Sequence, residues 1–191
     1  MTIEKLKKLK LESDKFYLRL LKSSDLNERY LSWLHDKEVV QYLKNPNKLL
    51  NYKMRDLKEY YKSINFNKKL IFAIVDKKNE LHVGNMTLNP IDTENHKTGL
   101  GGMIGEKKYW GSTAFIDGMR LLIEYAFNER KFIKIESGVF EPNVACIIAS
   151  KKVGFKLEGV KKKDIIINNQ TCDSYLFGLI NKKNEKYHLR S

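Results

Sequence analysis

Between Thr113 and Asn128 the spacing of apolar residues changes from that of strands to that of a helix, with apolar side chains at 115, 116, 119, 122, 123 and 126. They cover most of the helix circumference, as expected where a helix packs on a sheet. Strand-like runs flank it on both sides. Phe16 to Leu21 (FYLRLL) suits a strand, and Ser23 to Asp25 supplies a helix N-cap ahead of Leu26, Tyr30, Leu31 and Leu34. Lys53 to Ile64 reads as a second helix. Leu70 to Val75 is a buried strand that turns through Asp76 to Glu80 into Leu81 to Leu88, as in a hairpin. Thr98 to Ile104 is the next strand. After the long helix come a strand at Ile133 to Val139, a helix at Asn143 to Val153 capped by Gly154, and two strands, Lys156 to Ile167 and Thr171 to Asn181, joined by Asn168-Asn169. The order predicts a mixed α/β sheet.

No repeat, low-complexity tract or proline-rich linker divides the 191 residues, so 1–191 is expected to be one domain. The longest purely apolar run, Leu70 to Val75, is far short of the ~20 residues a membrane helix needs. The opening MTIEKLKKLKLE lacks the continuous apolar segment of a secretory signal, so the cytoplasm is the expected compartment and no membrane partner is expected. Cys146 and Cys172 suggest neither a disulfide framework nor a zinc cluster, and His35, His82, His96 and His188 show no metal-ligand spacing. No metal is expected. The net charge of +13 favours an anionic partner through its long-range field, but a compositional bias towards Lys, Asn and Ile would produce the same excess.

The junction KKYWGST, Lys107 to Thr113, joins a strand to the long helix through a glycine. A helix N-terminus reached in this way presents free N–H groups and the positive end of the helix dipole, which suits a phosphate. A glycine in such a turn also serves geometry alone. The segment is neither a P-loop, which ends in GKS or GKT, nor a dinucleotide fingerprint with three spaced glycines.

Further on, NVACIIASKKVGFKLEG runs from Asn143 to Gly159. Through Asn143, Cys146, Lys152, Gly154, Phe155, Glu158 and Gly159 it resembles the end of the GNAT superfamily of N-acetyltransferases, in particular its RimJ/RimL-type branch. Lys108, Tyr109, Trp110, Gly111, Ser112 and Thr113 are similar to the pyrophosphate loop of that superfamily. Lys108 keeps a donor where Arg or Gln is usual, while Thr113 places a branched side chain where almost none is usual. Leu18, Arg19, Asp25 and Trp33 match the opening of the branch, so the resemblance covers nearly the whole chain.

The resemblance implies a mixed, mostly antiparallel sheet of six to seven strands, splayed in the middle and flanked by about four helices. It implies an acetyl-CoA-dependent N-acyltransferase without a metal. The pantetheine would lie between the strands near Thr98 to Ile104 and Ile133 to Val139. Backbone groups of Met103, Ile104 and Gly105 would pair with it, amides of Gly111, Ser112, Thr113 and Ala114 would hold the pyrophosphate beside Lys108 and Trp110, and Asn143 would bond the pantetheine or simply cap its helix.

The attacking amine must be neutral. Deprotonation at pH 7 costs about 4–5 kcal/mol for an amine of pKa ~10.4 and about 1 for an α-amino group of pKa ~8. Candidate bases are Glu94, His96 and Glu106, with His96 preferred because an imidazole is mostly neutral at pH 7. Many superfamily members place a tyrosine where this chain has Ser150, so Ser150, or water bound to it, is the candidate proton donor to the departing thiolate. Thiolate is itself a tolerable leaving group. Cys146 lacks a neighbouring His for a covalent route. Tyr30 and Trp33 could stack on the acceptor or belong to the core. Asp173, at a position where the branch usually has Asp, is assigned a structural hydrogen bond. The expected acceptor is a small amine, such as an amino sugar on a nucleotide carrier, with a protein N-terminus or a polyamine as alternatives. Nucleic acid is not the expected partner, and a homodimer stays open. Rival readings are a basic nucleic-acid-binding module and a non-catalytic acetyl-CoA sensor.

Overall fold

The computed structural model describes residues 3–182, so His188 lies outside the described residues. Eight strands form one sheet in the order β1-β2-β3-β4-β5-β6-β8-β7. The strands are β1 (Lys10–Glu12), β2 (Phe16–Leu20), β3 (Leu70–Asp76), β4 (Leu81–Asp92), β5 (Lys97–Ile104), β6 (Lys134–Phe140), β7 (Lys156–Ile167) and β8 (Gln170–Ile180). The helices are α1 (Ile3–Lys8), α2 (Glu28–Leu34), α3 (Lys37–Val40), α4 (Pro46–Leu49), α5 (Met54–Lys62), α6 (Ala114–Glu124) and α7 (Val144–Lys152), with a π turn at Tyr125–Glu129 extending α6. The mixed, mostly antiparallel α/β sheet is as expected. Its strand count of eight exceeds six to seven because the three-residue β1 is too short to carry a period of its own. The one-turn helices α3 and α4 escape notice for the same reason.

Residues alternate across the strands into two cores. Leu70, Phe72 and Ile74 of β3 join α6 and α7 on one face, while Ile71, Ala73 and Val75 join α2 and α5 on the other. A strand covered on both faces must be apolar at every position, which explains the unbroken run at 70–75. The final hairpin turns at Asn168 and Asn169, both with positive φ (50° and 62°), and Gly154 follows α7 at φ 100°.

Asn27 caps α2 by accepting from Tyr30 N–H at 3.1 Å. The expected cap, Ser23 to Asp25, is instead a 3-10 turn. Asp25 is committed elsewhere: its carboxylate accepts two 2.7 Å bonds from the Arg19 guanidinium and a third from Lys22 N–H. Burial pushes the Asp25 carboxyl up, but Arg19 and the Lys22 N–H outweigh it and hold the group below the usual carboxylate range. This pair ties the end of β2 to the entry of α2.

Helix α2 then lays Trp33 on the end of β5. Trp33 is 4% exposed, and a Cβ on Gly105 would stand 2.0 Å from its Cδ2. The Trp33 indole N–H donates to Glu106 at 3.1 Å.

Every β pairing is antiparallel except β5 with β6, which is parallel and joins only Lys97, Thr98 and Gly99 to Lys134, Ile135 and Glu136. Beyond Gly99 the two strands part. Each keeps a full ladder on its outer side, β5 with β4 and β6 with β8, so the inner edges separate without loosening the sheet.

Two stability measurements follow. Asp25→Ala leaves Arg19 uncompensated and should lower the unfolding free energy by about 3 kcal/mol in urea titration. Because the Asp25 carboxyl titrates lower when folded, its contribution is present above pH ~4 and is lost as pH falls through the folded value, so the variant should show a flatter acid limb. Gly105→Ala should cost about 1–3 kcal/mol by the same measurement, because Trp33 must shift.

Candidate active site

The gap between β5 and β6 opens into a cavity of about 1080 Å³. It is lined from both faces of the sheet. On one face it meets Phe115, Met119 and Cys146 from α6 and α7, and on the other Tyr30, Tyr42, Tyr60 and Lys69. The Tyr42 hydroxyl reaches across its mouth and donates to the Pro142 carbonyl at 3.2 Å, linking the segment before α4 to the turn before α7.

The β5 edge has a definite polarity. Trp110 Nε1 donates to the Ile104 carbonyl at 2.9 Å, whereas Gly105 N–H donates back to Val83 in β4 at 3.0 Å. Backbone groups alternate sides along an antiparallel strand, so Gly102 and Leu100 turn their N–H and C=O the same way as Ile104, towards the gap. The Ile104 carbonyl and the Gly105 amide are therefore engaged within the protein, and Met103 turns its backbone towards β4. Of Met103, Ile104 and Gly105, only Ile104 keeps a backbone group, its N–H, turned to the gap, where it joins the backbone of Leu100 and Gly102. Gly101-Gly102 inside a strand is the sequence signal for this edge, because paired glycines mark close backbone approach.

At the end of β5 a 3-10 turn, Lys107–Tyr109, leads through Gly111 to α6. Gly111 has φ 77°, the left-handed region that favours glycine, and a Cβ there would meet nothing within 4 Å. Trp110 is 45% exposed, and the exposed Lys108 carries its ammonium 5.5 Å from the Tyr109 ring centroid. Lys107 is held by Asp36 at 2.7 Å and by Glu38. Helix α6, of eleven residues, begins with no side-chain cap bond from Thr113. Of the four amides expected to meet a pyrophosphate, two are engaged within the protein: Ser112 N–H donates to the Tyr109 carbonyl at 3.1 Å and Ala114 N–H to Ser112 Oγ at 3.3 Å. The Thr113 hydroxyl folds back to Asp117 at 2.9 Å, which turns the branched side chain along the helix.

Asn143 caps α7 by accepting from Cys146 N–H at 3.2 Å, and it also lines the cavity. Tyr30 also lines the cavity. Its hydroxyl accepts from Asn85 Nδ2 at 3.1 Å, and Asn85 Oδ1 lies 3.0 Å from His82 Nε2. Burial pushes the Tyr30 phenol far above its ordinary value and lowers the His82 imidazole.

Other expected site residues are not brought to the cavity. His96 and Glu94 stand exposed in the β4–β5 turn, at the closed end of the gap, where the His96 carbonyl accepts from Ile133 N–H at 2.7 Å. The Glu106 carboxylate is turned to Trp33 and lies 3.7 Å from Arg29. Trp33 is core, sealed beneath Gly105, and offers no face to a ligand. Ser150 is 0% exposed and its hydroxyl has no hydrogen-bond partner among the described residues. Burial pushes the Cys146 thiol up. Asp173 accepts from Lys162 and from Lys163 N–H at 2.7 and 3.0 Å, a structural role.

The family model described as an acetyltransferase (GNAT) domain matches residues 15–156. A probable N-acetyltransferase, YjcK of Bacillus subtilis (strain 168), is 27% identical over 128 residues, 67% of this chain and 71% of that protein. Among solved structures, spermidine N-acetyltransferase from Vibrio cholerae, in complex with CoA and spermine, aligns with a TM-score of 0.78 at 19% identity, covering 88% of this chain and 96% of the other. The ribosomal-protein-S5-alanine acetyltransferase of Vibrio fischeri aligns with a TM-score of 0.73 at 21% identity over 91% and 97%. A split sheet with an uncapped helix at its mouth and a family match over most of the length lead to one conclusion: this chain belongs to the GNAT acetyltransferase family.

Proposed function

We propose that this chain transfers the acetyl group of acetyl-CoA to a small primary amine by direct attack, and that it belongs to the RimJ/RimL-type branch. The observation that carries this reading is the unpaired inner edge of β5, where Leu100 and Gly102 face the gap beside the open N-terminus of α6. That arrangement fits the coenzyme. An amide-bearing pantetheine completes a strand edge that has lost its neighbour, and outward N–H groups with a helix dipole suit a pyrophosphate. Arg19 and Asp25, two positions of the branch match, are bound to each other, which gives that match a structural reason.

Acetyl-CoA supplies the activated thioester. The amides of Gly111 and Thr113 would hold its pyrophosphate, with Lys108 and Trp110 at the rim, and Asn143 would meet the pantetheine from the α7 side. A backbone N–H of the β5 edge would stabilise the oxyanion, since a fixed donor there needs no reorganisation. The amine attacks in its neutral form, which favours an acceptor of modest basicity. Cys146, kept as the thiol by burial, is unsuited to a covalent relay, which supports a direct route. Ser150 is sealed from the cavity, so the thiolate leaves without it: the proton that the attacking nitrogen sheds goes to water, and the thiolate takes one up from water to become the thiol. The favoured acceptor is an amino sugar or similar small amine, including one on a nucleotide carrier. The charge of +13 opposes a polycation and suits a phosphorylated molecule.

Gly111→Asp should raise the coenzyme Kd by more than tenfold in calorimetry, because it sets a carboxylate against phosphate, and unchanged affinity would remove the loop from the reading. Ser150→Ala should keep turnover within about twofold, measured as thiol release over a panel of amines. If no amine releases thiol, the transfer reading is wrong.

A further inference from the structure

We propose that the acceptor is an amine carried on an oxygen-rich, anionic small molecule, with Tyr30 donating a hydrogen bond to one of its oxygens and Lys69 meeting its negative group. This rests on the transfer reading above and names the class of its second substrate.

The hydrogen bonds behind Tyr30 run in one direction only. His82 Nε2 lies 2.9 Å from the Gly84 carbonyl, which can only accept, so Nε2 carries the hydrogen. It therefore donates to Asn85 as well, which fixes Oδ1 on the His82 side and turns the amide NH2 towards Tyr30. With the Tyr30 oxygen accepting from Asn85, its own hydrogen is left for the cavity. Burial keeps the phenol protonated at any working pH, so Tyr30 acts as a fixed donor and not as an acid. A group matched to it must hold a lone pair: a hydroxyl, a carbonyl or a phosphate oxygen.

The other end of the same side carries positive charge. Lys69 Nζ donates to the Tyr60 hydroxyl at 2.5 Å and lies 5.1 Å from that ring centroid, so the ammonium is positioned by a neutral partner and its charge stays uncancelled. Lys44 stands exposed at the rim. Among the described residues lining the cavity, the carboxylates are Glu136 and Glu158 on β6 and β7, and both are bridged to lysines, Glu136 by Lys97 and Lys134, Glu158 by Lys134 at 2.7 Å. Asn85, Thr87 and Asn89 share the acceptor face of β4, and a strand rise of about 3.3 Å per residue separates the first from the last by about 13 Å. That span sets Tyr30, bonded to Asn85, at one end and Lys69, whose neighbour Leu70 pairs with Leu88, at the other. An amino sugar bearing a phosphate has the oxygens and the charge. A polyamine has no oxygen for Tyr30 and repels Lys69.

The test uses the full chain with acetyl-CoA and reads thiol release with glucosamine 6-phosphate, glucosamine, spermidine and an alanine-led peptide. The phosphorylated sugar should exceed its parent by at least tenfold in kcat/KM, and both should exceed spermidine. Lys69→Met should collapse the phosphate-to-parent ratio towards one while Lys69→Arg retains it. Tyr30→Phe, which keeps the buried ring, should raise KM for both sugars without changing the coenzyme Kd. Spermidine or the peptide as the best acceptor, or a ratio untouched by Lys69→Met, overturns the acceptor class and leaves acetyl transfer standing. Absence of thiol release with every amine overturns both.

Discussion

Three residue pairs, Lys97 with Lys134, Thr98 with Ile135 and Gly99 with Glu136, make up the ladder between the two halves of the sheet among the described residues. A backbone strand edge buried without a partner is costly, so a fold that stops this ladder after three pairs needs something else to meet the remaining N–H and C=O groups. Everything that makes the cavity depends on that early stop. Thr98, 1% exposed, reinforces the closed end by donating from its hydroxyl to the Pro90 carbonyl at 2.9 Å. From there the two strands follow their outer partners, and the twist of each half carries them apart.

The open end is held just as firmly. Trp33 lies against Gly105, Trp110 bonds the Ile104 carbonyl, and Tyr109 donates to Asp76 at 2.5 Å. These contacts fix the path from β5 into α6, so the first-turn amides of the helix sit at a set distance from the gap. Preorganisation of this kind keeps binding energy from being spent on ordering the loop.

Much of this was legible in the sequence because the elements concerned are long and periodic. The unbroken 70–75 run, the broad apolar surface of 113–128 and the asparagine turn at 168–169 each specify their structure locally. Gly154 was legible as the glycine that ends α7, and it adopts φ 100° there. What stayed hidden depends on contacts distant in sequence. Nothing near His96 tells that its turn lies at the closed end of the gap, and nothing near Trp33 announces a glycine 72 positions later that buries it. Ser150 occupies the expected helix, yet burial seals it off. The choice among Met103, Ile104 and Gly105 turned on strand polarity, which only the ladder with β4 reveals.

A cavity lined from both faces of the sheet bears on traffic. Phe115 and Cys146 line it on one face and Tyr60 and Lys69 on the other. Two reactants arriving from opposite sides need not queue, so neither product has to vacate before the second reactant enters. Architecture of this sort favours a ternary complex over alternating occupancy of a shared berth.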